Sequence, residues 1–136
     1  MGADRPTLEI LNEDQCQLLL SLHDIGRISF VVDGIPEILP VSYVSEGSTV
    51  VFRTGDGVLA QKSIKQRVAF EVDAWDATVG EGWSVVVKGI AEEITSSIDP
   101  YARALHERRV IPLAPGIRER WIAVYASRVS GRRFRW

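Results

Sequence analysis

The apolar and polar residues of this chain mostly alternate every second position, which is typical of β-strands. The clearest case is RVAFEVDAW, in which Val68, Phe70 and Val72 are predicted to point one way and the charged residues Arg67, Glu71 and Asp73 the other. WSVVVKGIAEEIT is a longer run of the same kind, and Gly89 within it predicts a bulge or a tight bend. Further along, RWIAVYASRVSGRRFRW predicts one or two closing strands.

Turn signals separate these runs. Asp33-Gly34 lies between two β-rich segments and predicts a hairpin. Pro36 and Pro40 cannot donate to a strand ladder, so the second strand of this hairpin is expected at an edge or a bulge. A second turn, at Gly47, leads into the strand TVVFRT.

Three short helices interrupt the strands. Asn12 followed by Gln15 resembles a capping box and opens a helix over about 13–23. A second helix is expected to begin near Val58, and a third runs from Pro100, after the N-cap Asp99, to about residue 109. The first helix is predicted to face the core with Leu18, Leu19 and Leu22. The segment IPLAPGIRER is predicted to be irregular.

The number and kind of elements define the fold class. Six or so antiparallel strands with a few short helices imply a mainly β protein built as a small closed or half-closed barrel. The chain has 136 residues and no internal repeat or linker, so residues 1–136 are expected to form a single domain.

Composition narrows the cellular setting. No run of 18 apolar residues predicts a membrane span, and the N-terminal residues do not resemble a secretory signal. The single cysteine, Cys16, excludes an internal disulfide and lies among leucines, so it is interpreted as a packing residue. We therefore expect a cytoplasmic protein without a membrane partner.

Charge is unevenly distributed although the net charge is only −2. Residues 1–100 contain 7 Lys/Arg and 16 Asp/Glu, whereas residues 101–136 contain 9 Arg and 2 Glu. The basic C-terminal segment could bind nucleic acid or another anion. Because it alternates like a strand, the favoured interpretation is that it neutralises acidic residues of its own chain or of a partner subunit.

The usual catalytic patterns are missing from the sequence. His23 and His106 are each predicted near a helix end, without Cys, Asp or Glu at metal-ligand spacing, so no metal site is expected. No nucleophile elbow, Walker motif or dinucleotide fingerprint is present. If the protein is an enzyme, its chemistry is expected to come from a bound cofactor; no catalytic side chain is identified.

One stretch, VVFRTGDGVLAQKSIKQ, carries a candidate phosphate site. Arg53 and Thr54 end a strand, two glycines turn the chain, and a helix starts near Val58. An arginine can bind a phosphate through two hydrogen bonds, a threonine hydroxyl adds a donor, and a helix start favours an anion. The alternative is a plain strand–turn–helix with Arg53 in a surface salt bridge.

The order of several segments resembles a known family. GRISFVVDGIPEILPVSYVSEGSTVVFRTGDG, QRVAFEVD, GWSVVVKGIAEEI and SGRRF follow one another as in the pyridoxamine 5'-phosphate oxidase-like flavin-binding split barrels, most closely the small actinobacterial type. The resemblance covers roughly residues 8–134. It implies a six-stranded antiparallel split β-barrel that forms a homodimer, with FMN bound in the subunit interface.

The resemblance also implies cofactor contacts. Pro40, Val41 and Ser42 match the strand that runs along the flavin ring, and Arg53 and Thr54 match the pair beside the ribityl phosphate. Trp83 and Ser84 match a strand start that comes from the other subunit and closes over the cofactor. For Trp83, a place in the interface core is the alternative.

One position departs from the family pattern. Family members commonly carry a lysine at the first position of the helix after the glycine turn, where this chain has Val58. Lys62, one turn later, could reach back, another arginine could substitute, or phosphate affinity could be weaker. No segment matches the family's vitamin-substrate motif, so pyridoxamine phosphate oxidation itself is not expected.

Three functions therefore stay open. The first is an FMN-dependent oxidoreductase acting on a small organic molecule. The second is a reductase that uses a deazaflavin coenzyme in the same groove. The third is a non-catalytic flavin-binding module or a nucleic-acid-binding module, although a nucleic-acid partner is not favoured.

Overall fold

Residues 5–113 and 116–136 are described by a computed structural model, and within these ranges the chain forms eight strands and three helices. In chain order they are β1 (Thr7–Leu11), α1 (Glu13–Ser21), β2 (Ile25–Val32), β3 (Ile35–Ser42), β4 (Val44–Glu46), β5 (Thr49–Thr54), α2 (Val58–Ser63), β6 (Arg67–Asp76), β7 (Glu81–Glu93), α3 (Pro100–His106) and β8 (Arg120–Arg135). None of the described helices is long and apolar enough to cross a membrane.

All eight described strands join one curled antiparallel sheet. Its order is β3-β2-β6-β7-β8-β5-β4, with β1 added to the far end of β8. The prediction of a mainly β, antiparallel split-barrel fold is confirmed, with two strands more than the six expected. The additional pairings are those of the short β1 and β4, which the alternation pattern did not separate from their surroundings.

The core lies on the concave face of this sheet. Adjacent strands place Ile28, Phe70 and Val87 side by side in register, and all three side chains are fully buried. Phe30 and Phe52 fill the same core from β2 and β5. Along β2, β6 and β7 the alternating residues point outward, as the period of two in the sequence predicts. β5 differs, because Val51, next to Phe52, is buried in a second cluster together with residues of α3.

Several local predictions are confirmed. Asp33 and Gly34 both have positive φ, 51° and 79°, as the predicted hairpin turn requires. β3, which carries the two prolines, is an edge strand of the sheet. At the start of α1 the Asn12 side chain accepts a hydrogen bond from the Gln15 backbone N–H, and the Gln15 side chain accepts one from the Asn12 backbone N–H. At the start of α3 the Asp99 side chain accepts a hydrogen bond from the backbone N–H of Ala102.

The predicted core side of α1 is wrong. Leu18 and Leu22 are exposed, whereas Cys16 and Leu20 are buried and Leu19 packs only in part against the core. A side chain on Gly131 of β8 would approach the Cys16 sulfur within 2.6 Å, so the bare glycine leaves the space that Cys16 occupies. This contact orients the helix, and it confirms that Cys16 is a packing residue.

Two helix ends also differ from prediction. α1 ends at Ser21 instead of residue 23, and α3 ends at His106 instead of about residue 109. In both cases the residue after the helix closes the last turn with its backbone N–H. Of the segment predicted to be irregular, residues 114–115 lie outside the described residues, and so do residues 1–4 at the N-terminus.

The arginines near the C-terminus pair with acidic residues of the same chain. Arg120 contacts Glu93 at 2.8 Å, and its hydrogen bonds hold the pKa of Glu93 below its usual value. Arg133 contacts Glu9 at 3.1 Å on β1 and Glu81 at 3.3 Å on β7. For these residues the interpretation that the basic segment neutralises its own chain is correct.

Gly89 marks a break in the β7–β8 register. The pairing shifts between Lys88 and Gly89, as the predicted bulge requires. A side-chain carbon on Gly89 would lie 2.0 Å from the Tyr125 carbonyl oxygen, so backbone, which cannot move aside cheaply, would have to shift.

We therefore expect Gly89→Ala to lower the free energy of unfolding by about 2 kcal/mol or more, as for an overpacked interior. Equilibrium urea unfolding measures the change. Gly57→Ala is the matched control, because a side-chain carbon there meets nothing within 4 Å. Equal losses in the two variants would contradict the account of the bulge.

A charged cluster lies across β2 and β6. Arg27 contacts Glu71 at 3.0 Å and Asp73 at 3.3 Å. Partial burial raises the pKa of Glu71 to about 7, and its hydrogen bond with Asp73 acts in the same direction. The folded protein therefore keeps a proton on Glu71 over a pH range in which the unfolded chain has lost it.

From this shift we expect the free energy of unfolding to fall as pH rises from about 4.5 to about 7. The Glu71 contribution should be about 1 kcal/mol, since the side chain is partly in water. Glu71→Gln should remove that slope, measured as urea midpoints across pH, while Glu37→Gln on the exposed edge strand should keep it. An unchanged slope in Glu71→Gln would refute the assignment.

Candidate functional site

A cleft of about 390 Å³ opens between the edge strand β3 and the end of β5. The start of α2 forms its base, and the segment after α3 forms its outer wall. Its volume lies in the range of small-molecule sites. Its lining residues are Leu39, Pro40, Val41, Ser42, Arg53, Thr54, Gly57, Val58, Leu59, Pro112, Leu113 and Arg118.

Arg53 is held firmly in the wall of this cleft. Its Nε donates to the carbonyl of Arg118 at 3.0 Å, and Nη1 donates to the carbonyl of Val110 at 3.1 Å. The guanidinium also lies over the Trp121 ring, 5.3 Å from its centroid. Because a guanidinium has five N–H donors, this fixed group retains donors for a ligand in the cleft.

Two further polar groups accompany Arg53. Thr54 follows it at the end of β5 and is buried. Arg118 approaches the glycine turn so closely that a side-chain carbon on Gly55 would lie 2.8 Å from its Nη1 atom. Two guanidinium groups and one hydroxyl therefore line one end of the cleft, which gives that end a positive charge and favours an anion.

The opposite wall is the edge strand β3. One side of β3 pairs with β2, and its other side carries no described strand, so backbone polar groups face the cleft. Ser42 donates its hydroxyl to the carbonyl of Ile111, which fastens the outer wall to this strand. This wall combines the apolar side chains of Leu39 and Val41 with exposed backbone, a surface suited to a flat ring with a polar edge.

The start of α2 lies where the sequence predicted it. Val58 is the first helical residue, lines the cleft and is half exposed, and Gly57 precedes it without a side-chain cap. The helix has only six residues, so its dipole contributes little and the arginines dominate the charge. Lys62 lies exposed in the last turn and does not line the cleft.

The two residues expected from the strand after the loop lie elsewhere. Trp83, near the start of β7, pairs with Ala74 of β6 and Arg133 of β8. Its ring packs against the His23 ring, with the two ring centroids 4.8 Å apart. Ser84 is its neighbour on β7, opposite Asp73 of β6. Within one chain neither residue lines the cleft.

The cleft contains few groups that could carry protons. Among its described lining residues there is no His, Cys, Asp, Glu, Lys or Tyr. Apart from the arginines, the only polar side chains among these described lining residues are the hydroxyls of Ser42 and Thr54. No group of His, Cys, Asp and Glu among the described residues could hold a metal ion. This arrangement can bind and orient a ligand, but its side chains supply no acid or base of ordinary strength.

Sequence reasoning did not identify the outer wall. Pro112, Leu113 and Arg118 follow α3 and reach the cleft only because the chain folds back over Arg53. Their segment carries no periodic pattern or motif. The only hint was the expectation that another arginine could replace the missing lysine, and the structure brings Arg118 to that end of the cleft.

Comparison with known proteins places this chain in a family. The profile of the family described as pyridoxamine 5'-phosphate oxidase matches residues 12–133. An uncharacterised protein of Mycobacterium tuberculosis is 31% identical over 129 residues, which make up 89% of this chain and 82% of that protein.

Solved structures agree with the profile. The FAD binding protein from Mycobacterium smegmatis has 34% sequence identity and a TM-score of 0.77, covering 93% of this chain and 98% of that one. A Corynebacterium glutamicum protein has 27% identity and a TM-score of 0.80, covering 98% and 97%. The resemblance inferred from the order of the motifs is thereby confirmed: this chain belongs to the pyridoxamine 5'-phosphate oxidase family.

Proposed function

We propose that this protein is an FMN-binding flavoprotein and an oxidoreductase that acts on a small organic molecule at a homodimer interface. The observation that carries the proposal is the pair Arg53 and Arg118 at one end of a cleft whose other wall is the edge strand β3. The two arginines suit a phosphate, and the β3 wall suits a flat ring. Family membership and the FAD binding relative from Mycobacterium smegmatis support a flavin as the ligand.

The chain's own part in this function is binding and orientation. Arg53, Thr54 and Arg118 would hold the phosphate, while backbone around Val41 and Ser42 would face the polar edge of the ring and Pro40 would contact its side. A bound flavin would supply the exchange of hydride or electrons with the substrate at N5. The side chains described in the cleft would position the reactants and exclude water.

The homodimer is proposed because β3 is exposed on both of its faces. Ile35 and Ile38 are 64% and 62% exposed, although they lie in an ordered strand. Ile25 on the neighbouring β2 is also exposed, so apolar area continues onto that strand. An apolar edge strand of this kind invites a second chain, and a partner there would also cover the open side of the cleft. Trp83 and Ser84 of the partner chain are proposed to complete it.

A deazaflavin coenzyme in the same cleft is the second candidate. Its support is the presence of two arginines, since a longer anionic tail requires more positive charge than one phosphate. FAD is included in the comparison because of the relative that binds it. Titration of the purified protein with FMN, FAD and a deazaflavin, followed by fluorescence quenching, ranks the three.

We expect Arg53→Ala to weaken FMN binding by about tenfold or more, because it removes a charge-assisted contact and loosens the outer wall. Thr54→Val should cause a smaller loss, as one neutral hydroxyl is removed. Direct titration of FMN fluorescence measures both.

Lys62→Ala is the control for Arg53→Ala, since it removes a cation of α2 that does not line the cleft. It should leave FMN affinity within about twofold. Equal losses in Lys62→Ala and Arg53→Ala would show that the phosphate lies elsewhere. No quenching of FMN, FAD or the deazaflavin by the unmodified protein would refute the proposed function.

For the homodimer we expect Ile38→Glu to shift the protein from two chains to one, because it places a charge in the proposed apolar interface. Size-exclusion chromatography with light scattering measures the mass. Ile98→Glu is the matched control, since Ile98 is 89% exposed, lies just before α3 and belongs to neither β2 nor β3. A single-chain mass for the unmodified protein would overturn the dimer.

A further inference from the structure

A second concavity lies on the outer face of the sheet, where β2, β6, β7 and β8 run side by side. It has a volume of about 570 Å³ and shares no lining residue with the cleft at β3 and β5. Val31 and Ile90 form apolar parts of its surface, and the hydroxyls of Ser29 and Ser127 add polar ones. We call this concavity the outer groove.

Three cations from three adjacent strands line the outer groove: Arg67, Lys88 and Arg128. In the β7–β8 pairing, Lys88 lies directly opposite Arg128, and Arg67 pairs with Ile90, two residues along from Lys88. Among the described residues, none of the three forms an ion pair with a carboxylate. No acidic residue is part of the groove lining.

The absence of ion pairs is specific to the cations of the outer groove. Arg120 and Arg133, on the same strand as Arg128, contact carboxylates at 2.8 Å and 3.1 Å. Like charges directly opposite each other on neighbouring strands destabilise a sheet. The pair of Lys88 and Arg128 therefore costs stability in the free protein, and an anion between them would remove that cost.

The β-bulge produces this arrangement. The register shift pairs Arg128 with Lys88 and leaves Ser127 as the extra residue of the bulge, and the Ser127 hydroxyl donates to the Lys88 carbonyl at 3.1 Å. A bulge re-aims side chains and is common beside binding sites. Without it, continued alternation would not bring two cations together over one concavity.

We propose that the outer groove binds a small organic phosphate monoester. Its phosphate is held by Arg67, Lys88 and Arg128, with Ser29 as a further donor, and its apolar part lies against Val31 and Ile90. This site is separate from the flavin cleft, and the proposal does not rest on the proposed function.

Phenyl phosphate is the probe, added to the full-length protein at low salt and followed by two-dimensional NMR of backbone amides. We expect clear shifts at Ala69, Gly89 and Ser127. Shifts at Thr54 or Val58, which line the flavin cleft, would report a second and separate binding event. Inorganic phosphate should bind more weakly, because it does not use the apolar surface, and phenol should not bind. Shifts confined to the flavin cleft, or equal binding of phenol, would overturn the proposal.

The double variant Lys88→Gln with Arg128→Gln should weaken phenyl phosphate binding by about tenfold or more, because two charged contacts are lost. It should melt at the same or a higher temperature, since it relieves a repulsion. Arg103→Gln is the matched control, an exposed arginine on α3 without an ion pair among the described residues, and it should change neither value. Equal losses in the double variant and the control would refute the site.

Two further experiments distinguish the outer groove from the flavin cleft and from a lipid-binding surface. Arg53→Ala should leave the phenyl phosphate shifts at Ala69, Gly89 and Ser127 unchanged, which distinguishes failure of the groove from failure of the flavin cleft. Sedimentation with vesicles containing an anionic phospholipid should leave the protein in solution. Co-sedimentation that depends on Lys88 and Arg128 would mean that the cations bind a lipid surface, and would contradict a small soluble ligand.

Discussion

The pairing of β7 with β8 is the constraint on which the rest of this structure depends. It runs from Glu81 opposite Arg135 to Glu93 opposite Ile122, and β6, β5 and β1 all attach to one of its two strands. This pairing requires bare backbone at Gly89, and Gly131 of β8 leaves the space that Cys16 of α1 occupies. One end of β8 sets Trp121 against Arg53 at the cleft, and its middle sets Arg128 against Lys88 in the outer groove.

Features that depend on neighbouring residues could be predicted from the sequence. The Asp33-Gly34 turn, the caps at Asn12 and Asp99 and the bulge at Gly89 each follow from the conformational needs of a few consecutive residues. The orientation of α1 could not be predicted in this way. Three leucines and a cysteine offered more than one apolar side, and the choice was made by the space over Gly131, which is distant in the sequence.

The same distinction applies to the candidate site. Arg53, Thr54 and Val58 are close in sequence, and a strand end followed by a helix start brings them together locally. Arg118 reaches them from 65 residues away through a segment without periodicity. Trp83 and Ser84 could be named only from the family resemblance, because in one chain nothing joins them to the cleft.

The fixation of Arg53 has a consequence for how related sequences are compared. Its planar guanidinium joins two carbonyls on the segment after α3 and stacks on Trp121, which a lysine, with one compact charge, could not do. Selection for a closed outer wall alone would thus preserve an arginine at this position, even in a relative that has lost its ligand. An arginine kept at position 53 in related sequences would therefore indicate that the outer wall is kept. Changes at Thr54 and Val58 would be the better indicator of a changed ligand.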